Sequence, residues 1–288
     1  IMRKKIFGKS YNQLQDIKTA AIEVSKGNLE VQIWKKSSDE IGEITEAFNI
    51  MSYALNYEKT RMKEFIEDIS HEIKNPLTLV KSYNQALLDD IIQDPEEQQK
   101  SYRLIDRETN KLNKFIQNFL DFCKLDENTV NLVKQPTVLA QSIEDIVKKY
   151  EFIFREKHME LNMSLDYSVI IQADEDRLEQ VIQNIIQNAI RYSKEDARID
   201  ITMERQADNC ILAISDNGIG ISEENLSLIT NRFVRVNKVR SRKESGTGLG
   251  LSIVEKIMEL HEGKMIIESQ LGAGTTVKLV FPAVQDEE

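Results

Sequence analysis

The sequence is poor in the features that mark several common protein classes. Its 288 residues include only two cysteines, Cys123 and Cys210, without paired or metal-ligand spacing, so they are expected to be buried thiols in a reducing compartment. No stretch reaches the roughly 18 consecutive apolar residues of a membrane-spanning helix. The net charge of −10 argues against a nucleic-acid-binding protein, which would carry a basic surface.

Two common phosphate-binding motifs are also missing. There is no G-x-x-x-x-G-K-[ST] loop, and the glycine run at Gly246, Gly248 and Gly250 reads G-x-G-x-G without a predicted strand before it. It therefore differs from the dinucleotide-binding fingerprint. What remains is a composition with 30% charged and 41% hydrophobic residues, which is typical of a helix-rich globular protein with two or three domains.

The first residues form a basic cluster. The chain begins at Ile1 without an initiator methionine, and it carries Arg3, Lys4, Lys5 and Lys9. A membrane span just upstream, with this cluster on its cytoplasmic side, would explain the charges. The alternatives are an expression-tag remnant or an ordinary solvated terminus. The expectation is a cytoplasmic fragment of a cell-membrane protein.

Apolar spacing predicts four helices in the first 128 residues. Two short helices are separated by "KGNLEVQI", and Ser37 with Glu40 is expected to cap the second of them. Two longer helices are separated by a turn in which Asp94 caps and Pro95 takes the first helical position. Each helix has an apolar seam that needs a partner, and the economical solution for the longer pair is a dimer that forms a four-helix bundle. The four seams are Leu14, Ile17, Ala21 and Val24; Ile41, Ile44, Phe48, Met51 and Leu55; Met62, Phe65, Ile69, Ile73, Pro76 and Val80; and Tyr102, Ile105, Thr109, Leu112, Ile116, Phe119 and Cys123.

His71 does not fit the seam of its helix. It lies two residues from both Ile69 and Ile73, so at about 100° per residue it points to the opposite side. Asn75 follows on the same outer face, and Pro76 is expected to kink the helix beside His71. Exposure, a kink and a break in the seam coincide, which indicates a functional histidine.

The second half alternates between strands and helices, which predicts an α/β domain. The segments "ARIDITMER", "CILAISDNG", "GKMIIESQ" and "GTTVKLVFP" read as strands. An amphipathic helix between residues 174 and 193 carries Asn184 and Asn188 among its apolar residues. The residues predicted for its inner side are Leu178, Val181, Ile182, Ile185, Ile186, Ala189 and Ile190. By themselves these amides would be interpreted as structural hydrogen-bonding groups.

Two glycine-rich runs suggest a nucleotide pocket. Asp216, Gly218 and Gly220 follow a strand, where an aspartate can accept from an exocyclic amine and glycines let the backbone approach a flat ligand. The run at 246–250 precedes a helix, whose first N–H groups can bind phosphate. Between the two runs, the basic segment 231–245 is predicted to be a mobile lid.

These motifs together resemble those of the sensor histidine kinases of two-component signalling. "HEIKNPLT" resembles the phosphoacceptor motif, "NIIQNAIRYS" the asparagine box, and "DNGIG" and "GTGLGLSIV" the two glycine boxes. "NRFVRV" resembles the phenylalanine box, although an asparagine stands where the family often has glutamate. "DEIGEITEAFNIM" is similar to the HAMP signal-relay module, without that module's usual N-terminal proline near Lys9.

The resemblance implies a multidomain fold of α and α/β parts. A HAMP relay would span residues 1–57, a dimeric phosphotransfer helical hairpin residues 58–128, and an ATP-binding α/β sandwich residues 129–285. The implied partners are a second copy of the chain in a coiled-coil, four-helix-bundle dimer, a response-regulator receiver domain, and the membrane. The implied cofactors are ATP and Mg²⁺.

The resemblance also assigns roles to individual residues. His71 would be the phosphorylated histidine, Glu72 its proton acceptor, and Asn75 a residue that orients water for the reverse, phosphatase reaction. Asp216 would accept the adenine amine, and Asn188 with Asn184 would hold Mg²⁺. The other implied nucleotide contacts are Arg191, Tyr192, Gly218, Gly220, Phe233, Arg235, Gly246, Thr247, Gly248, Leu249 and Gly250. His158 and His261 are expected to be bystanders, the latter as a cation that suits the end of a helix.

Two other functions are compatible with a nucleotide pocket. One is an ATP-driven conformational machine of the gyrase or MutL type, but those proteins carry a catalytic glutamate on the asparagine-box helix, where this chain offers Asn184. The other is a nucleotide-binding scaffold without kinase activity. His71, Asn188 and the intact glycine runs argue against the scaffold.

Overall fold

The computed structural model describes residues 2–34, 39–126, 131–194, 197–206, 208–230 and 248–283. The chain divides into two compact units, residues 1–74 and 75–288. The helices are α1 (Met2–Ser25), α2 (Glu40–Leu88), α3 (Pro95–Asp126), α4 (Leu139–Lys148), α5 (Glu151–Glu156), α6 (Glu175–Tyr192), α7 (Glu223–Leu226) and α8 (Gly250–Leu260). The strands are β1 (Gln135–Val138), β2 (Glu160–Ser164), β3 (Ile170–Ala173), β4 (Arg198–Gln206), β5 (Asn209–Asp216), β6 (Lys264–Gln270) and β7 (Gly274–Pro282).

In the first unit, polar side chains of α2 hold the connector that follows α1. The amide of Asn49 accepts from the N–H of Ile33 at 2.9 Å and donates to its carbonyl at 2.8 Å. The hydroxyl of Ser52 donates to the carbonyl of Leu29 at 3.0 Å. At the start of α2, Asp39 accepts from the N–H of Gly42 at 3.1 Å, which is a capping contact. The predicted cap, Ser37, lies outside the described residues.

The prediction of a separate helix on each side of residue 57 is wrong. Helix α2 runs for 49 residues from Glu40 to Leu88 and includes Pro76. Between Leu55 and Met62 the sequence contains neither glycine nor proline, so nothing local ends the helix. The boundary between the two predicted modules therefore falls inside one continuous helix.

The single chain leaves much of the predicted apolar seams exposed. In α1 and α2 the buried positions include Gln13, Ala20, Thr45 and Ser52, while Leu14, Ile44, Met51 and Leu55 are exposed. In α3 the buried residues are Ser101, Glu108, Phe115, Phe122 and Leu125. The predicted seam of α3 lies beside this stripe, and Tyr102 and Ile116 are exposed. The buried side chains thus include small, polar and large apolar residues, Phe48 of the predicted α2 seam among them, and the exposed seam residues remain available to another surface.

The α/β part is a sandwich, as the sequence predicts. Its five-stranded sheet has the order β2-β4-β5-β7-β6, with β2 parallel to β4 and the other pairs antiparallel. Helices α4, α6 and α8 contribute most of the helical core. The buried residues of α6 are Leu178, Val181, Ile182, Ile185, Ile186, Ala189 and Ile190, as its spacing predicts. The predicted four strands correspond to β4, β5, β6 and β7.

A second, smaller sheet joins the start of this domain to its core. Strand β1 pairs antiparallel with β3, from Gln135 opposite Ala173 to Val138 opposite Ile170. Cys210 in β5 is fully buried, which raises the pKa of its thiol to about 12, whereas Cys123 in α3 is half-buried rather than buried as expected. Among the described residues, no helix has the length and apolar character needed to cross a bilayer.

Candidate functional site

His71 lies on the exposed side of α2. Its neighbours Ile69 and Ile73 are half-buried, whereas His71 and Asn75 are exposed. Glu72 is half-buried. The outward position predicted from helical spacing is confirmed, and it leaves the imidazole accessible to a reacting group.

Helix α6 positions the predicted asparagine and arginine side chains. Asp174 caps the helix by accepting from the N–H of Arg177 at 3.1 Å. About four turns after this cap, the Oδ1 atom of Asn188 accepts from Nη1 of Arg191 at 3.4 Å, so the amide oxygen already faces a cation. A Cβ atom on Gly250 would lie 3.2 Å from Oδ1 of Asn184, which places Asn184 against the start of α8.

Asp216 ends strand β5 in a half-buried position. Its Oδ1 atom accepts from the N–H of Gly218 at 2.8 Å. Burial raises the pKa of the Asp216 carboxyl above its ordinary value, while hydrogen bonds from the Gly218 and Thr275 amides and the nearby Lys194 ammonium act in the opposite direction. A half-buried carboxylate with fixed backbone donors on one side can accept from a ligand amine on another.

Gly218 and Gly220 lie close to the protein's own backbone, which the sequence does not reveal. Their predicted role, to let the backbone approach a ligand, stays a prediction. A Cβ on Gly218 would lie 2.5 Å from the carbonyl oxygen of Tyr192, and one on Gly220 would lie 2.0 Å from that of Gln270. The N–H of Ile219 also donates to the Tyr192 carbonyl at 3.1 Å. The loop after β5 is therefore locked between the end of α6 and the β6–β7 turn.

Gly274 is a further member of this arrangement that sequence reasoning missed. It has φ +111, and a Cβ there would lie 1.9 Å from the carbonyl oxygen of Asp216. We expect Gly274→Ala to lower the free energy of unfolding by about 3 kcal/mol or more, since strained φ and a backbone clash add. Gly272 is a matched control, because it has φ +87 but a Cβ added there would meet no atom within 4 Å.

Urea unfolding of the two alanine variants checks this expectation. Gly272→Ala is expected to cost only the backbone term of about 1–2 kcal/mol. Equal losses in the two variants would mean that the close approach to Asp216 contributes nothing.

The glycine-rich run is described only in part. Gly248 has φ +69, Leu249 is fully buried, and Gly250 begins the 11-residue helix α8. The start of α8 therefore presents backbone N–H groups beside Asn184, as a phosphate site requires. Gly246, Thr247, Phe233 and Arg235, together with the predicted lid 231–245, lie outside the described residues.

His261 is not the helix-end cation that the sequence suggested. It is only 3% exposed. Its Nε2 atom accepts from the N–H of Asp174 at 3.0 Å, and its Nδ1 atom contacts the carbonyl of Ile257 at 2.8 Å. Burial lowers the pKa of the His261 imidazole. The ring is therefore neutral and structural, whereas His158 lies in an exposed turn before β2.

Comparison with protein families gives three matches in chain order. They are the HAMP domain at residues 12–56, the His Kinase A (phospho-acceptor) domain at residues 61–128, and the histidine kinase-, DNA gyrase B- and HSP90-like ATPase at residues 173–285. The chain is also 34% identical over 224 residues to the sensor protein SrrB of Staphylococcus aureus. The match covers 76% of this chain and 38% of SrrB, so the chain spans well under half of that relative.

Solved structures of similar fold are histidine kinases. The chain matches AdeS of Acinetobacter baumannii with a TM-score of 0.60 and 21% identity, covering 75% of this chain and 98% of that one. It matches ThkA, solved in complex with the response regulator protein TrrA, with a TM-score of 0.63 and 24% identity. That match covers 82% of this chain and 68% of the other. At these identities the two likenesses establish the fold.

Proposed function

The chain belongs to the sensor histidine kinases, and we propose that it transfers the γ-phosphoryl group of ATP to His71 and from there to an aspartate of a receiver domain. The observation that carries this proposal is the exposed imidazole of His71 on the outer side of α2. The test is incubation with Mg-ATP labelled at the γ-phosphate. We expect protein-bound label that is lost in acid and kept in base, as for a phosphoramidate.

The chemistry begins with a neutral imidazole at His71, because a protonated ring has no free lone pair. One ring nitrogen forms a bond to the γ-phosphorus as the bond between that phosphorus and the β,γ-bridging oxygen breaks, and ADP leaves. Glu72 accepts the proton from the other ring nitrogen, which fixes the tautomer and offsets the developing positive charge. In the second step a receiver aspartate oxygen attacks the phosphorus, and the nitrogen–phosphorus bond breaks.

The nucleotide would be held by residues around α6, the loop after β5, and the start of α8. Asp216 would accept from the adenine amine, Arg191 would contact the phosphates and Tyr192 would lie beside the nucleoside. The backbone of the run Gly246, Thr247, Gly248, Leu249 and Gly250 would bind phosphate, and Phe233 and Arg235 would anchor the predicted lid. Gly218 and Gly220 shape the adenine side by locking the loop that carries Asp216.

The residues at the phosphate end fit Mg²⁺. The Oδ1 atom of Asn188 faces the guanidinium of Arg191, and Asn184 lies against the start of α8. Amide oxygens together with phosphate oxygens are suitable ligands for this hard cation. Asn188 and Asn184 would therefore hold Mg²⁺, which when bound neutralises phosphate charge during transfer.

We assign residues 1–57 to the HAMP relay, 58–128 to the phosphotransfer hairpin and 129–285 to the ATP-binding domain. The exposed apolar stripes of α2 and α3 support a homodimer, because single helices with such stripes need a partner. The receiver partner is supported by the ThkA complex with TrrA. A membrane span before the basic cluster at residues 3–9 remains a prediction supported by charge alone.

Asn75 is proposed to orient a hydrolytic water in the phosphatase reaction on the phosphorylated receiver. It is exposed one helical turn after His71. We expect Asn75→Ala to slow receiver dephosphorylation by about 10-fold or more, since positioning a nucleophile contributes that much, while autophosphorylation persists. The measurement is loss of label from a purified phosphorylated receiver. Asn84→Ala, at another exposed asparagine of α2, is the control, and equal rates in the two variants would remove Asn75 from the reaction.

A further inference from the structure

Helices α6 and α8 lie against each other and connect two distinct places in the ATP-binding domain. At one end Asn184 faces Gly250, at the start of α8. At the other end the N–H of Asp174, which caps α6, donates to Nε2 of His261, which ends α8. The two ends are separated by about 15 Å on each helix, at 1.5 Å per residue. The pair therefore links the nucleotide end of the domain to the Asp174–His261 end.

The contact between Asp174 and His261 fixes the state of the imidazole. A backbone N–H can only donate, so Nε2 of His261 must be unprotonated to accept it. The carbonyl of Ile257 can only accept, so Nδ1 carries the proton and donates at 2.8 Å. Because the ring is buried and both nitrogens are used, His261 is held in a single orientation as a neutral group.

The connecting segment, residues 127–134 between α3 and β1, is attached at the same place through residues 131–134, the part that the structure describes. The N–H of Val133 donates to Oδ2 of Asp174 at 3.0 Å, while Oδ1 of Asp174 caps α6. Next to it, Nζ of Lys134 lies 3.0 Å from a carboxylate oxygen of Glu262, the residue after His261. Glu262 is 80% exposed, so this ion pair contributes little by itself. Asp174 is thus the common partner of the connecting segment, α6 and, through its own N–H, the end of α8.

We propose that Asp174 and His261 are positioning residues that anchor the connecting segment and thereby set the rate of phosphoryl delivery to His71, without contributing to ATP affinity. This inference rests on the proposed kinase function. The connecting segment is the covalent link between the phosphotransfer helices and the nucleotide pocket. Fixing the point at which this segment joins the ATP-binding domain limits the orientations in which that domain can bring ATP to His71. The rate of phosphoryl transfer depends steeply on such positioning.

Val133→Pro tests the anchor with the least disturbance. Val133 is 75% exposed, so the substitution removes the N–H that donates to Asp174 without opening the core. Val133→Ala is the matched control, because it keeps that N–H. We expect the single-turnover rate of His71 phosphorylation in Val133→Pro to fall about 10-fold. The dissociation constant for ATP should stay within about twofold of the unaltered chain, because the lost hydrogen bond lies at the Asp174–His261 end, about 15 Å along α6 from Asn184.

A second pair of variants addresses the imidazole. His261→Gln offers an amide oxygen that can accept from the Asp174 N–H, whereas His261→Leu offers no acceptor. We expect His261→Gln to keep most of the transfer rate and His261→Leu to behave like Val133→Pro at unchanged ATP affinity. If His261→Leu does not fold, the Val133 pair decides the question alone.

The outcomes separate the anchor from the proposed function. A Val133→Pro rate equal to that of Val133→Ala would overturn the anchor, and so would a fall in ATP affinity that matches the fall in rate. An unaltered chain that binds ATP but places no label on His71 would count against the kinase function instead.

Discussion

His71→Gln is expected to abolish labelling from γ-labelled ATP, with a loss of about a thousandfold or more because no nucleophile remains to form the covalent intermediate. Glutamine keeps a polar, hydrogen-bonding side chain on an exposed helical face, so the fold should be unaffected. ATP binding should also be unaffected, because the pocket residues are unchanged. The measurement is acid-labile, base-stable label on the protein, with ATP affinity measured in parallel.

The chain offers a matched control for this experiment. His158 is also exposed, in a turn with φ +53, and asparagine tolerates that conformation. His158→Asn should label at the full rate. Label that persists in His71→Gln at the rate of His158→Asn would reject the acceptor assignment and leave the nucleotide pocket without its proposed target.

Regular periodicity is the part of the fold that the sequence predicts well. The buried residues of α6 match the predicted set because seven apolar side chains at 3.6-residue spacing allow only one inner face. The outward position of His71 follows from the same geometry. Helix α3 begins at Pro95, as predicted from the local signals Asp94 and Pro95. Asp94 accepts from the N–H of Glu96 at 3.4 Å.

The continuity of α2 could not be predicted from module boundaries. Positions 55–62 hold only residue types that a helix accommodates, so helix α2 continues from the relay module into the phosphotransfer hairpin. The helix shows no break at the boundary between two functional modules when no residue there terminates it. The sequence motifs locate the modules, and the helix joins them.

Contacts between distant residues are the part that the sequence could not supply. The position of His261 at the end of its own helix predicts a cation. Its Nε2 atom instead accepts from the N–H of Asp174, which is 87 residues away in the sequence. Gly274 resembles an ordinary turn residue, although its lack of a side chain lets it approach the Asp216 carbonyl. Such roles depend on which elements become neighbours, and that is set by the whole fold.

Asp216→Asn is expected to weaken ATP binding by about 100-fold, which corresponds to about 3 kcal/mol. The substitution preserves shape, and its amide oxygen can still accept from the N–H of Gly218. At the proposed site its other terminus would be an NH₂ donor facing the adenine amine, itself a donor, so an accepted hydrogen bond would be replaced by a repulsive contact. Titration with a fluorescent ATP analogue measures the loss. Asp208→Asn, at an exposed aspartate where β5 begins, should bind normally.

The same variant should not destabilise the nucleotide-free protein. Burial raises the pKa of the Asp216 carboxyl in the folded chain, so the ionised form is less favourable there than in the unfolded chain. This unfavourable contribution exists above the folded pKa and disappears as the pH falls below it. Asparagine removes it at neutral pH, and we expect the free energy of unfolding of Asp216→Asn to equal or exceed that of the unaltered chain.

The raised pKa also predicts how ATP binding responds to acid. Only the ionised carboxylate can accept fully from the adenine amine. The ratio of the ATP affinity of the unaltered chain to that of Asp216→Asn should therefore shrink as the pH falls through the pKa of Asp216, which lies above its ordinary value of 3.8. Protonation of the nucleotide phosphates affects both proteins equally and cancels in the ratio of their affinities. A ratio that stays constant through this window would exclude Asp216 as the adenine acceptor.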